Sequence, residues 1–365
     1  MRDLFKEPAA RPAASFRLVL NGAGEAWGRL FSLLSCAAAC ALLVFFAAPL
    51  HSDAPVSLKI ATLPIADTVL LHIAGRRGFF AANGLEVELI PFQSAMEKDA
   101  AVAAGGLDGH FCEPGAVIMQ RSMGLPFMIA ATTSHTEPER RVFGLVAKPG
   151  SPAGRLEDLA GSSIGVANLY VVDFMTDVFL EKAGLPLDFF VRRDVKKIPP
   201  RYQMLVNGRL DAALFPEPLL SMAELAGGRV LMDDRDLDMP LAAVALKSSL
   251  PPRAVESFRT ALAEAALWAA LNPGAVKSLM ADLGLIPPAV LSSYEPPLFK
   301  PEHVPGALPD KALFERYVRW LVKNGALQDE AGRGLRPAPS YEETVYRAPE
   351  SVREPSGGGD GDRGN

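Results

Sequence analysis

Two segments of this chain follow one order: a helix-forming stretch that ends in glycine, a Leu-Asp pair, and then a strand of small residues. They are AVAAGGLDGHF (Ala101 to Phe111) and MLVNGRLDAALF (Met204 to Phe215). Glycine takes the left-handed conformation that stops a helix, and each Leu-Asp pair opens the strand that follows. A chain that makes this transition twice, each time inside a series of strand-like and helix-like runs, predicts an α/β protein of two similar blocks.

The first block opens with the strand-like SLKIATLPI (Ser57 to Ile65), a helix from about Val69 to Ala82, and the strand LEVELIPF (Leu85 to Phe92). It continues through a helix near Lys98 to Gly105, the strand LDGHF, a helix from about Gly115 to Met123 and the strand PFMIAATT. The second block follows RVFGLVAKPG (Arg141 to Gly150): the strand SSIGVAN, a helix from Val172 to Ala183, strand-like VKKIP, a helix around Arg201 to Gly208, and LDAALF. Such alternation predicts parallel strands joined by right-handed helical crossovers. The strand-like LAAVALK (Leu241 to Lys247) then leads into mainly helical sequence, with apolar residues at helical spacing in Ser257 to Leu271 and an amphipathic helix over about Lys311 to Asn324. Beyond Ala331 the chain is rich in Pro, Arg and Glu and ends GGGDGDRGN, which predicts a disordered tail over 331–365.

The run from Leu30 to Ala48 carries no charge and follows Arg2, Lys6, Arg11, Arg17 and Arg29, the pattern of an export signal. A buried helix of a soluble protein would show a polar face, and this run has none. Phe45 and Phe46 stand where a signal peptidase wants small residues, leaving imperfect sites before Asp53 or Pro55. The 19 residues are also long enough to span a hydrocarbon core of about 30 Å, so residues 1–54 are expected to be a signal peptide or an N-terminal membrane anchor with a linker. Either way the remainder is expected outside the cytoplasmic membrane.

With 365 residues, 49% of them hydrophobic, the chain is long enough for two domains. A net charge of −5 argues against nucleic acid as a partner, since phosphate neutralisation needs clustered Lys and Arg. Cys36 and Cys40 lie in the apolar run, so a processed chain keeps one thiol, Cys112, and no internal disulfide. The sequence LLSC at Cys36 faintly resembles a lipidation site, but apolar ALLVFF follows it. There is no Gly-rich phosphate loop, HExxH, GxSxG or Cys/His cluster, so no catalytic residue, metal or cofactor is expected.

Four stretches together resemble the nitrate/sulfonate/taurine-type (NitT/TauT) solute-binding proteins of ABC importers, relatives of binders of thiamine pyrimidine precursors. They are GRRGFFAANGLEVEL (Gly75 to Leu89), LDGHFCEPGAVIMQRSMGLP (Leu107 to Pro126), LEDLAGSSIGVAN (Leu156 to Asn168) and NGRLDAALFPEPL (Asn207 to Leu219), in the family's order. The resemblance implies a type II periplasmic-binding-protein-like fold with two α/β lobes and a ligand cleft between them. Residues 55–146 plus 241–330 would form lobe one and 147–240 lobe two, with crossings near Val146 to Gly150 and Asp238 to Ala243. It also implies a monomer that takes a small-molecule solute and delivers it to a permease with its ATPase. A membrane-tethered ligand sensor and an enzyme on the same fold are the alternatives.

In open α/β sheets ligands sit outside the carboxyl ends of strands, and that rule selects the candidate ligand contacts. In lobe one they are Pro64, Ile65 and Asp67, then Phe92, Gln93 and Ser94, then Phe111, Cys112 and Glu113, then Thr133, Ser134 and His135. In lobe two they are Asn168 and Tyr170, Arg201, Phe215 and Glu217. Asp67 and Glu113 suit a cationic or amine-bearing solute, although Asp67 also stands where a helix cap would. Arg201 suits a carboxylate, sulfonate or phosphate, or is a surface residue of a first helical turn. Phe92, Phe111, Tyr170 and Phe215 suit apolar walls or core; His135 suits the cleft mouth or solvent, and Cys112 a small apolar packing role. The run Arg192, Arg193, Lys196, Lys197 reads as a solvated face.

Overall fold

Both blocks form twisted sheets of five strands, and the two sheets have the same strand order. The computed structural model describes residues 54–348, so the apolar run 30–48 and the chain beyond 348 lie outside the described residues. Sheet one is ordered β2-β1-β3-β10-β4, from β1 (Val56–Thr62), β2 (Leu85–Pro91), β3 (Gly109–Cys112), β4 (Phe127–His135) and β10 (Pro240–Lys247). Sheet two is ordered β7-β6-β8-β5-β9, from β5 (Phe143–Ala147), β6 (Ser163–Val166), β7 (Val191–Asp194), β8 (Ala212–Pro216) and β9 (Arg229–Asp233).

The expectation of parallel strands holds for three strands of each sheet. Within β2-β1-β3 and within β7-β6-β8 every pair is parallel. The fourth position is reversed: β10 pairs antiparallel with β3 and β4, and β5 pairs antiparallel with β8 and β9. Each reversed strand is the first strand laid down after the chain has crossed from the other sheet. It enters in the opposite direction because no helix precedes it to carry the chain back.

This places the first crossing earlier than 146. β5 belongs to sheet two, so the crossing is 136–142, and the return is 234–239. The two crossings run side by side. The Thr136 hydroxyl donates to the Leu237 carbonyl at 2.6 Å and accepts from the Met239 N–H at 3.0 Å.

Helices cover the sheets. In lobe one these are α1 (Val69–Arg76), α2 (Phe79–Ala82), α3 (Ala95–Ala103) and α4 (Pro114–Ser122), and in lobe two α5 (Val171–Lys182), α6 (Ile198–Val206) and α7 (Leu219–Leu225). The continuous helix expected over Val69 to Ala82 is broken at Gly78, whose φ of +77° ends α1 and starts α2. Gly105 and Gly208 take φ of +85° and +72°, as the repeated helix-Gly-Leu-Asp pattern requires. The strand-like VKKIP is not a strand: β7 ends at Asp194, and Pro199 and Pro200 sit in the first turn of α6, where a missing N–H does no harm. After the return come α8 (Pro252–Leu271), α9 (Pro273–Asp282), α10 (Lys311–Lys323) and α11 (Tyr341–Thr344).

One apolar core fills the outer face of sheet one, from Leu58, Ile60 and Leu70 to Phe258 and Leu262 of α8. A second is continuous from lobe to lobe, joining Val117, Ile118 and Ile129 to Ile164, Phe174 and Phe179 through Tyr317, Trp320 and Leu321 of α10. Phe174 of α5 stacks on Tyr317 with ring centroids 4.0 Å apart and meets Trp320 edge-on. Among the described residues no helix is long and apolar enough to cross a membrane.

The expected disorder from 331 does not extend over 331–348. Ser340 caps α11, Val345 pairs with Ile129 on the edge of sheet one, and the Tyr346 N–H donates to the Ile129 carbonyl at 2.9 Å. Tyr341, Val345 and Tyr346 supply apolar anchors that the surrounding Pro- and Glu-rich composition obscures.

Candidate ligand cleft between the lobes

The carboxyl ends of β1, β3 and β4 face the corresponding ends of sheet two, and the turn after β1 places Asp67 there. Asp67 lies inside a short 3-10 turn, Ala66–Thr68, makes no side-chain cap, and is buried. The capping role is therefore taken from it, and Thr68 satisfies the turn through the Leu63 and Ile65 carbonyls. Ser134, at the end of β4, faces Asp67, yet its Oγ and the Oγ1 of Thr133 form no hydrogen bond of ordinary geometry. Thr132 beside them is satisfied by the Ala307 carbonyl at 2.8 Å.

A second carboxylate, not anticipated from the sequence, joins this group from the return crossing. Asp234 Oδ1 accepts the Val142 N–H at 2.9 Å, while its buried Oδ2 has no partner. Burial first, then the proximity of the Asp234 charge, pushes the Asp67 carboxyl up to about 7. Burial likewise pushes Asp234 up to about 7. Tyr294, from the segment after α9, is buried close to Asp67, and burial raises its phenol.

A second polar group lies beneath the other candidates of lobe one. Lys98 of α3 is fully buried, with Nζ 2.7 Å from Asp99 Oδ1 and 3.4 Å from His110 Nδ1. His110 Nε2 pairs with Gln120 at 2.9 Å, and burial followed by the Lys98 charge holds its imidazole down at about 3, hence neutral. Glu113 precedes α4 without capping it through its side chain, and burial raises its carboxyl against the opposing pull of Lys98. Tyr170 of lobe two reaches across to Asp99, and burial first, then Asp99, pushes its phenol up to about 12. The two lobes therefore meet through Tyr170 and Asp99 above Glu113.

The remaining candidates separate into structural roles. Ser94 caps α3 by accepting the Glu97 N–H at 3.2 Å, beside an exposed Gln93. Pro64 is exposed, Ile65 and Phe92 are half-buried, and Phe111 is core. Cys112 packs in the core with Sγ 3.8 Å from the Ala243 carbonyl, and burial pushes its thiol up to about 12, so it is the small apolar residue expected. Asn168 is exposed and donates its N–H to Asp194 at 3.0 Å. Glu217 is already satisfied by the Arg141 guanidinium at 2.7 Å and the Ser221 hydroxyl at 2.8 Å.

Arg201 is not a surface residue: it is 1% exposed. It lies against Gly165 and over the Phe215 ring at 5.3 Å, donates to the Val195 carbonyl at 2.9 Å, and leaves Nε without a partner. Burial pulls its guanidinium down to about 10. Phe215 beneath it is core of lobe two. The basic run is also not wholly solvated, since Arg192 bonds Asp173 at 2.6 Å and pairs with Asp177. His135, expected either exposed near the cleft mouth or in contact with the ligand, is buried and stacks on His303 beside the crossings, with centroids 4.0 Å apart.

Two lobes of like topology, two crossings and unpartnered polar atoms at the junction define a periplasmic-binding-protein-like fold with an inter-lobe cleft. Residues 52–283 match the model of the NMT1-like family, and the chain belongs to that family. No curated protein matches it by sequence. Among solved structures it is similar to the periplasmic aliphatic sulphonate binding protein SsuA from Escherichia coli, at 16% identity and a TM-score of 0.62, covering 82% of this chain and 98% of that one. It is similar to the periplasmic nitrate-binding protein NrtA from Synechocystis PCC 6803, at 16% identity and a TM-score of 0.60, covering 76% and 83%. The alkanesulfonate-binding protein SsuA from Xanthomonas axonopodis pv. citri, bound to MOPS, matches at 16% identity and a TM-score of 0.58, covering 74% and 92%. These likenesses are of fold, and they agree with the NitT/TauT resemblance carried by the four sequence stretches.

Proposed function

We propose that this chain is the extracytoplasmic solute-binding component of an ABC importer, and that its solute is a small organic molecule carrying a protonated nitrogen. The observation that carries the reading is the group at the lobe junction: buried Asp67 lies near the charge of Asp234, whose Oδ2 has no hydrogen-bond partner, and faces Ser134 at the end of β4. Buried polar atoms in native proteins are almost always paired, so unpaired ones gathered between two lobes fit a missing ligand. Carboxylates and hydroxyls accept hydrogen bonds from a cationic head, and in a desolvated site such bonds are strong.

The fold neighbours named for sulfonates and nitrate bind anions, and Arg201 offers this chain one buried cation with an unpartnered Nε. A solute with an amine or aminopyrimidine end satisfies Asp67, and a polar or anionic end would suit Arg201 if closure brings it within reach. Closure over it is favoured by its contacts with both lobes, and a permease reads the closed surface. Binding suffices, without covalent chemistry. The charged leader and apolar run support export, whether residues 30–48 are cleaved or retained as an anchor.

A thermal-shift screen of amines, aminopyrimidines, aminosulfonates, sulfonates and nitrate tests the solute, since a ligand of the folded state raises Tm by mass action. Nitrogen-bearing cations should stabilise the wild type and not Asp67→Asn. Stabilisation by simple anions alone would overturn the solute class. Recovery of the protein in the cytosol with turnover of a metabolite would overturn the importer reading itself.

A further inference from the structure

His135, Glu137 and His303 converge beside the two crossings, next to the end of β4 whose Ser134 faces Asp67. One donor atom of each lies within 4.8 Å of the others. His135 ends β4, Glu137 follows Thr136 on the first crossing, and His303 arrives from the segment between α9 and α10. Glu137 is 1% exposed, and its two oxygens are divided between different neighbours. Oε1 faces the imidazoles, 2.5 Å from His303 Nδ1 and 3.9 Å from His135 Nδ1. Oε2 faces Lys300 at 2.8 Å. The ammonium of Lys300 is also held by Glu139, at 3.0 and 3.2 Å, and so stays on the far side of the carboxylate.

The geometry points to a site for a divalent ion of the zinc class, bound by His135, Glu137 and His303, that fastens the first crossing to the carboxy-terminal segment. Two imidazoles and one carboxylate are a donor set that suits such an ion and gives Mg²⁺ or Ca²⁺ little reason to bind. The surroundings are those of ligands with orienting partners. His135 Nδ1 lies 2.8 Å from the Thr136 carbonyl and holds its proton there, so the donor to the ion is Nε2, the nitrogen toward Asp238, and not the Nδ1 that lies 3.9 Å from Glu137. Lys300 on Oε2 does the same for the carboxylate, leaving Oε1 to the ion. Asp238, on the return crossing with Oδ1 3.6 Å from His135 Nε2, is an exposed carboxylate within reach as a fourth ligand. Zinc bonds of about 2.0–2.2 Å set tetrahedral donors about 3.4 Å apart, so Glu137 Oε1 and His303 Nδ1 must part from 2.5 Å as His135 draws in, and His303, partly exposed, can turn to allow it. With Asp238 included, the ion would also link the two crossings.

The test uses the full chain without an affinity tag, stripped with chelator and titrated with Zn²⁺ by calorimetry, with Tm read in parallel. One ion per chain should bind in the micromolar range or tighter, and Tm should rise by several degrees. Mg²⁺ and Ca²⁺ at the same concentrations should leave Tm unchanged. His303→Gln, at a partly exposed position, should weaken binding at least tenfold while the zinc-free protein remains folded by circular dichroism. His135→Gln should do the same, and Asp67→Asn in the solute cleft should retain the ion. Absence of saturable binding, equal stabilisation by Mg²⁺, or binding unchanged in both histidine variants would overturn the assignment. None of these outcomes depends on which solute the cleft takes.

Discussion

Asp67 and Asp234 are two carboxyl groups buried near one another, and their effect on stability has a definite sign. Both are pushed up to about 7, from an ordinary value of 3.8 in the unfolded chain. Between these values the folded state holds protons that the unfolded state has released. The stabilisation is complete below about pH 4 and is lost as pH rises through about 7. The Tm of the ligand-free protein should therefore fall between pH 5 and pH 8, and Asp67→Asn should flatten that slope. At pH 8 the same substitution should stabilise by about 1–3 kcal/mol, since it removes an ionised group from a dry site. A slope unchanged in the variant would place the titration elsewhere. Affinity for a cationic solute runs the other way, strengthening from pH 5.5 to pH 8 as the carboxyls ionise, which calorimetry at the two pH values would measure. Arg201→Ala removes the guanidinium from the Val195 carbonyl and from the Phe215 face. It should destabilise by about 3 kcal/mol in urea unfolding.

Strands β3 and β6 are each held between two neighbours; at β3 Gly109 lets those neighbours close in, and at β6 Gly165 makes room for the Leu210 and Arg201 side chains. A Cβ at Gly109 would lie 2.7 Å from the Ala245 carbonyl oxygen of β10 and 2.8 Å from Ile60 Cδ1 of β1. Backbone cannot swing away as a side chain can, so Gly109→Ala should cost about 1–3 kcal/mol. Gly208→Ala meets nothing within 4 Å and pays only for its φ of +72°, about 1 kcal/mol. Urea denaturation of both variants checks the order, and equal losses would show that the packing at Gly109 relaxes. These glycines also show what local sequence reveals. Gly105 and Gly208 end helices, a signal that lies within a few residues, and the three parallel strands of each sheet were legible from it. The reversed strands β5 and β10 were not, because their pairing depends on the chain returning from another lobe. At the proposed cleft, the rule about strand ends selects Asp67, Thr133 and Ser134. Asp234 lies in the acidic run DDRDLD and Tyr294 among prolines, where no periodicity marks burial. Arg201 was legible as a cation but not as a buried one, since a single Arg in a helical turn carries no sign of its depth. Glu137 and His303 meet across 166 residues, a separation no motif spans.

At the scale of the whole molecule the two lobes are tied in three ways, and they differ in what they ask of the chain. The crossings are joined at Thr136, Tyr170 meets Asp99 across the cleft, and α10 packs Tyr317 and Trp320 against Phe174 of the other lobe. The third tie rests on the segment that follows it. Tyr341 meets Phe314 of α10 edge-on at 5.5 Å and donates its hydroxyl to the Pro309 carbonyl at 3.0 Å. Val345 then covers the open edge of β4 at Ile129, and Tyr346 enters the core of lobe one under Arg259. An uncovered edge strand invites pairing with another chain, so this segment protects lobe one as well as holding α10. Burying the Val345 and Tyr346 side chains is favourable by about 1.5–3 kcal/mol each. A chain ending at residue 330 should therefore melt lower than one ending at Ala348 and should associate at concentrations where the longer chain does not. Scanning calorimetry with light scattering would measure both. Equal Tm and equal scattering would show that residues 331–348 merely lie on a lobe that is stable without them.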